Sequence, residues 1–104
     1  MKKQKNVNLK LKVSQLENKN QFIIETNEGR YFQSYDSLIA FYNFEKRTLT
    51  LGVDWDYSKT TLKHLYIFID GYTNVYLPSS CKNKRKYIQS LIDKKEIVYN
   101  SNMQ

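Results

Sequence analysis

Residues 21–51 read QFIIETNEGRYFQSYDSLIAFYNFEKRTLTL, and the way this stretch divides decides the fold. Gln21 to Thr26, with Phe22, Ile23 and Ile24, and Arg30 to Tyr35 flank Asn27-Glu28-Gly29. Two strand-like runs around a short polar segment ending in glycine predict a hairpin with a three-residue loop, Gly29 supplying a positive φ. Asp36-Ser37 turns the chain into Leu38-Ile39-Ala40-Phe41-Tyr42, and Glu45-Lys46 turns it again into Thr48-Leu49-Thr50-Leu51, which stops at Gly52. Upstream, Val7, Leu9, Leu11 and Val13 alternate with Asn8, Lys10, Lys12 and Ser14. A period of two predicts a half-buried strand, apolar residues inward and lysines outward. Residues 7–51 therefore predict an antiparallel β-meander of about five strands.

Beyond Gly52 the period lengthens. Ser58, Thr60 or Thr61 offers a helix N-cap, Leu62, Leu65, Tyr66 and Ile69 follow at helical spacing, and Gly71 stands where a C-terminal glycine belongs. A hairpin turning at Asp70-Gly71 between 65–69 and 72–77 is the rival reading. Pro78-Ser79-Ser80 opens a second helix with Tyr87, Ile88, Leu91 and Ile92 on its apolar face, ending near Lys95. Ile97-Val98-Tyr99 reads as a short edge strand. The expectation is one α+β domain over residues 1–104: a basic N-terminal strand to residue 20, a sheet over 21–52 and a helical part over 58–95.

Charge is distributed unevenly in this chain of formal net charge +7. Both ends are basic, and the middle, residues 21–80, is slightly acidic. Fourteen Lys stand against three Arg, and ten Asn and eight Ile against one Ala. Such usage follows AT-rich codons, so part of the positive charge needs no nucleic-acid partner to explain it. Arg, the residue best suited to bidentate phosphate and guanine contacts, is scarce. No apolar run approaches the ~18–20 residues that cross a bilayer, and no apolar segment follows the charged N-terminus as a secretory signal requires. With Cys81 the sole cysteine, a reducing cytosol is the expected compartment.

Two stretches, Phe32-Gln33-Ser34-Tyr35-Asp36-Ser37-Leu38-Ile39-Ala40 and Trp55-Asp56-Tyr57-Ser58-Lys59-Thr60-Thr61-Leu62-Lys63-His64-Leu65, resemble a small uncharacterised domain of phages and mobile elements in low-GC Gram-positive bacteria. The resemblance covers roughly residues 30–70. It implies a phage-type context and carries no functional residue across.

The residues that chemistry would need are scattered. His64 is the only histidine and has no nucleophile motif beside it; on a helix it points away from the Leu62–Ile69 face, toward solvent or an interface. Cys81 precedes Lys82, Lys84 and Arg85 at the expected start of the second helix, where a thiol pKa falls, yet a lone cysteine is more often a small core filler. Asp54 and Asp56 bracket Trp55 as a polar loop around an anchored indole, and two carboxylates are too few for a Ca²⁺ cage. No catalytic group, metal site or cofactor is expected.

Binding candidates are more promising. Lys10 and Lys12 share one side of the first strand, as edge guards or as a phosphate-tracking stripe. Lys82, Arg85 and Lys86 crowd the outer face of the second helix, at the end where the helix dipole disfavours cations. Ile67 and Phe68 lie opposite the predicted core face of the first helix, which points to an interface or a dimer contact. Three functions follow: a phage-type inhibitor that occludes a host or defence protein, the anti-CRISPR type being one example; a nucleic-acid-binding protein gripping phosphates with its two basic ends; and, least supported, an enzyme.

Overall fold

A computed structural model describes residues 11–17 and 19–103. It contains β1 (Leu11–Gln15), β2 (Gln21–Thr26), β3 (Gly29–Ser34), β4 (Ser37–Asn43), β5 (Thr48–Leu51), α1 (Lys59–Tyr72), α2 (Lys84–Asp93) and β6 (Val98–Tyr99). The first five strands form an antiparallel meander, and β6 adds to it alongside β5 in parallel, giving one sheet in the order β1-β2-β3-β4-β5-β6. This is the α+β architecture expected, and residues 59–72 are helix rather than hairpin.

Residues directly opposite each other across paired strands share a face of the sheet. The register joins Ile23 to Phe32, Phe32 to Ala40 and Ala40 to Leu51, and all four are buried. Both helices pack on that face. Leu65, Phe68 and Ile69 from α1 and Ile88 and Leu91 from α2 join the same core, with Trp55, Leu77 and Ile97 closing its margins. At the centre the Phe68 ring stacks on Phe32 with centroids 5.8 Å apart, and Tyr72 stacks on Phe68 at the same distance.

The inward stripe of α1 is Thr61, His64, Leu65, Phe68 and Ile69, an i, i+3, i+4, i+7, i+8 pattern. The stripe expected from sequence, Leu62-Leu65-Tyr66-Ile69, is therefore rotated by part of a turn. His64 is buried, its Nδ1–H donating to the Thr60 carbonyl at 2.8 Å. Phe68 is fully buried, so it belongs to the core and not to an interface. Ile67 is half-buried against the core. Apolar residues occur around most of this helix, so periodicity alone left its rotation undetermined.

The ends of the helices are set by side chains. Ser58 caps α1: its Oγ accepts from the Thr61 amide at 3.1 Å, and its hydroxyl also reaches Thr61 Oγ1. At the other end Thr73 Oγ1 donates to the Ile69 carbonyl at 2.7 Å, and Arg30 Nη1 donates to the Tyr72 carbonyl at 3.2 Å. Gly71 thus lies inside the helix with open space around it, not in a left-handed terminal position. The second helix starts later than expected, at Lys84, where Asn83 Oδ1 accepts from the Lys86 amide at 3.0 Å. Pro78 to Cys81 forms a separate turn, Cys81 N–H donating to the Pro78 carbonyl, so Cys81 is not at the helix N-terminus. The C-terminal end of α2 closes with Lys95 at φ 64 and with bonds from the Lys95 amide to Ile92 and from the Glu96 amide to Leu91. That is a Schellman motif with lysine in the place glycine prefers.

Gly29 differs from its expected role. It has no positive φ and opens β3 after a two-residue turn, Asn27-Glu28, which Thr26 Oγ1 braces by accepting from the Glu28 and Gly29 amides. Glycine is needed for room: a Cβ there would stand 2.7 Å from the Phe41 ring and collide with the Tyr42 carbonyl. Between β3 and β4 the register slips at Phe32/Gln33, leaving Ile39 as an extra residue. This bulge turns both Ile39 and Ala40 inward and accounts for the unbroken apolar run at 38–42.

Two substitutions should stabilise the chain. Gly71→Ala removes backbone entropy from an exposed helical site with nothing to clash, and Lys95→Gly relieves a left-handed lysine. Each should add about 0.5–1 kcal/mol in chemical denaturation, roughly additively. Phe68→Ala should cost about 3–5 kcal/mol, whereas Ile67→Ala should cost distinctly less.

Candidate functional site

The face of the sheet away from the helices carries its own apolar set. The register links Val13 to Ile24, Ile24 to Tyr31, Tyr31 to Phe41 and Phe41 to Thr50, with Leu11 opposite Thr26 and Gln15 opposite Phe22. None of these is buried, and Leu11 and Val13 are 71% and 58% exposed. At the middle of the face Tyr31 and Phe41 stack with centroids 4.4 Å apart, and the missing Cβ of Gly29 leaves room for the Phe41 ring. Thr26, Thr48, Thr50, Asn43 and Gln33 surround the apolar residues, and no described strand residue on this face is charged. The composition, aromatic and aliphatic at the centre with a neutral polar surround, is that of a protein interface core.

This reverses the orientation expected for the first strand. Lys12 pairs with Glu25 on the helix-side face, beyond the helices' reach, and is exposed; Leu11 and Val13 lie on the open face. The alternation identified the strand, but the helices cover the opposite side from the one assumed. Lys10 lies outside the described residues.

On the helix side, the cations of α2 are not equivalent. Arg85 Nε donates to Asp56 Oδ2 at 3.0 Å, and its guanidinium stands over the Trp55 ring at 5.6 Å. Arg85 therefore joins the 54–58 loop to α2 while its side chain stays half-exposed on the outer face. Lys82 and Lys86 are exposed, and no ion pair of theirs occurs among the described residues. Lys84 leans back to the Cys81 carbonyl. Nearby, burial pushes the Tyr66 phenol above its ordinary pKa, with Arg85 opposing the shift. Trp55 is buried, as the anchored-loop reading expects. Asp54 and Asp56 serve different neighbours, Asp54 accepting from Ser37 Oγ at 3.2 Å and Asp56 holding Arg85.

The structure thus separates the predicted binding residues. Lys82 and Lys86 sit on the helix layer, Lys12 at the β1 edge, Phe68 in the core and Ile67 in a shallow groove with Tyr66 and Leu77. The open-face residues Leu11, Val13, Phe22, Ile24, Tyr31 and Phe41 were not singled out as a site from sequence. A signal was present: β2 and β3 carry large apolar residues at both parities, whereas two helices can cover only one face. Among the described residues no group of three or more His, Cys, Asp or Glu side chains gathers to hold a metal, and no helix is long and apolar enough to cross a membrane.

No curated protein and no solved structure matches the chain. One family model does, over residues 7–90, which takes in the whole described meander, α1 and most of α2. The chain therefore belongs to that family, a family of unknown function (DUF8033).

Proposed function

We propose that this chain is a non-catalytic binding protein that lays the open face of its sheet on an apolar patch of another protein. The observation that carries this reading is the uncharged surface centred on the stacked Tyr31 and Phe41 and extended by exposed Leu11 and Val13. Stacked rings and aliphatic groups gain free energy when a partner displaces water from them, and the face carries no cation to pair with phosphates. The net charge of +7 adds long-range steering toward a partner with an acidic rim. In the phage-type context that the sequence resembles, the partner is a host or defence protein in a bacterial cytosol, occluded by this face as anti-CRISPR proteins occlude their targets.

Nucleic acid is the second reading, favoured by exposed Lys82 and Lys86. Those lysines lie on the helix layer, away from the aromatic pair, so phosphate contacts there and base stacking on Tyr31 would require a strand that wraps the molecule.

The two readings separate in capture experiments from a nuclease-treated lysate of a low-GC Gram-positive host. Leu11→Glu/Val13→Glu alters only exposed side chains, so the melting temperature should stay within a few degrees of wild type. This variant should lose the protein that wild type retains, by tenfold or more, while Lys82→Glu/Lys86→Glu keeps it. Retention by the first variant and loss by the second would favour the charged surface and end the sheet-face reading.

A further inference from the structure

The turn between β3 and β4 and the loop entering α1 enclose a cleft of about 620 Å³, on a part of the molecule separate from the open sheet face. Its size falls in the ~300–1,000 Å³ range of small-ligand sites. Residues from 34–39 and from 54–61, separated in sequence, both line it. The β-bulge sets Ile39 at the apolar part of the wall. Hydroxyls converge from three elements: Ser34 at the end of β3, Ser37 at the start of β4, and Ser58, Thr60 and Thr61 at the start of α1. Ser34 Oγ and Thr61 Oγ1 are 3.4 Å apart and buried, tying the strand end to the helix.

The charge of the cleft runs against that of the chain. Asp36 and Asp54 line it and no Lys or Arg does, although the whole sequence carries +7. Anions are therefore disfavoured, phosphates included. The N-terminus of α1 adds backbone N–H donors beside those carboxylates, so the cleft offers acceptors and donors together. An alcohol donates to a carboxylate and accepts from a hydroxyl or a backbone N–H at once, and a sugar presents several alcohols on one ring. Tyr57 and Tyr35, 80% and 57% exposed, also line the cleft, and a tyrosine ring is a surface on which the C–H side of a pyranose can stack. From the cleft, its two carboxylates and converging hydroxyls, and the two exposed tyrosines, we infer that this site binds an uncharged sugar ring.

The probes are glucose, galactose and N-acetylglucosamine, each at millimolar concentration, observed by saturation-transfer-difference NMR with the full chain. Ring protons of at least one sugar should receive saturation. Tyr57→Ala, a change at an exposed side chain, should weaken that binding about fivefold or more, and Asp54→Asn should do the same while far-UV circular dichroism and melting temperature stay unchanged. Leu11→Glu/Val13→Glu should leave sugar binding intact, which keeps this outcome independent of the sheet-face reading. Arginine amide and glucose 6-phosphate serve as the cationic and anionic comparisons. Transfer to none of the three sugars, transfer undiminished in both cleft variants, or stronger binding of either charged probe overturns the inference.

Discussion

The stacking of Phe68 on Phe32 is the contact on which the rest of the molecule depends. It seats α1 over the centre of the sheet, and the row Ile23-Phe32-Ala40-Leu51 becomes the floor of the core. Arg30 then fixes the far end of the helix, bonded to the Tyr72 carbonyl and lying over the rings of Phe44 and Tyr72 while Glu25 holds its Nε. Ser58 and Thr61 fix the near end against Ser34. With α2 docked through Ile88 and Leu91, both helices are committed to one face. A two-layer arrangement of this kind leaves the second face of a six-stranded sheet to water or to a partner.

That constraint gives the open face its meaning. Antiparallel sheets with one solvated face ordinarily alternate apolar and polar residues. Here β2 has Phe22 and Ile24 outward as well as Ile23 inward, and Tyr31, Phe41, Leu11 and Val13 continue the outward set. Phe22, Ile24, Tyr31 and Phe41 are half-buried and Leu11 and Val13 exposed, and together they run contiguously across neighbouring strands rather than scattered, which is what the proposed interaction surface rests on. The cations lie elsewhere, and Arg85, the one arginine of the C-terminal cluster, is spent on Asp56 and Trp55.

Much of the fold was legible in the sequence. Turn residues and alternation marked five strands, and a hydroxyl cap followed by apolar residues at helical spacing marked α1. Rotations and termini were less so. The stripe of α1 was misplaced because Leu62, Ile67 and Phe68 surround the helix, and only the position of Phe32 decides which of them turns inward. Gly71 and Gly29 stand in sequence where a helix C-terminus and a positive-φ turn call for glycine, yet one is an open helical position and the other makes room for the Phe41 ring. The start of α2 slipped because Pro78 nucleates a turn, while Asn83 supplies the actual cap. Functional surfaces were hardest to read, since they depend on which side the helices choose. Alternation in β1 specifies two faces and cannot say which one will be covered.

Hydroxyl-radical footprinting at concentrations where the chain is monomeric tests the open face most directly. Labelling of Leu11, Val13 and Tyr31 in the free chain, with Phe32 and Phe68 protected, is the result the account predicts, and addition of a captured partner should protect the first group selectively. Protection of Leu11, Val13 and Tyr31 in the free monomer would mean that the face is already covered, and would contradict it.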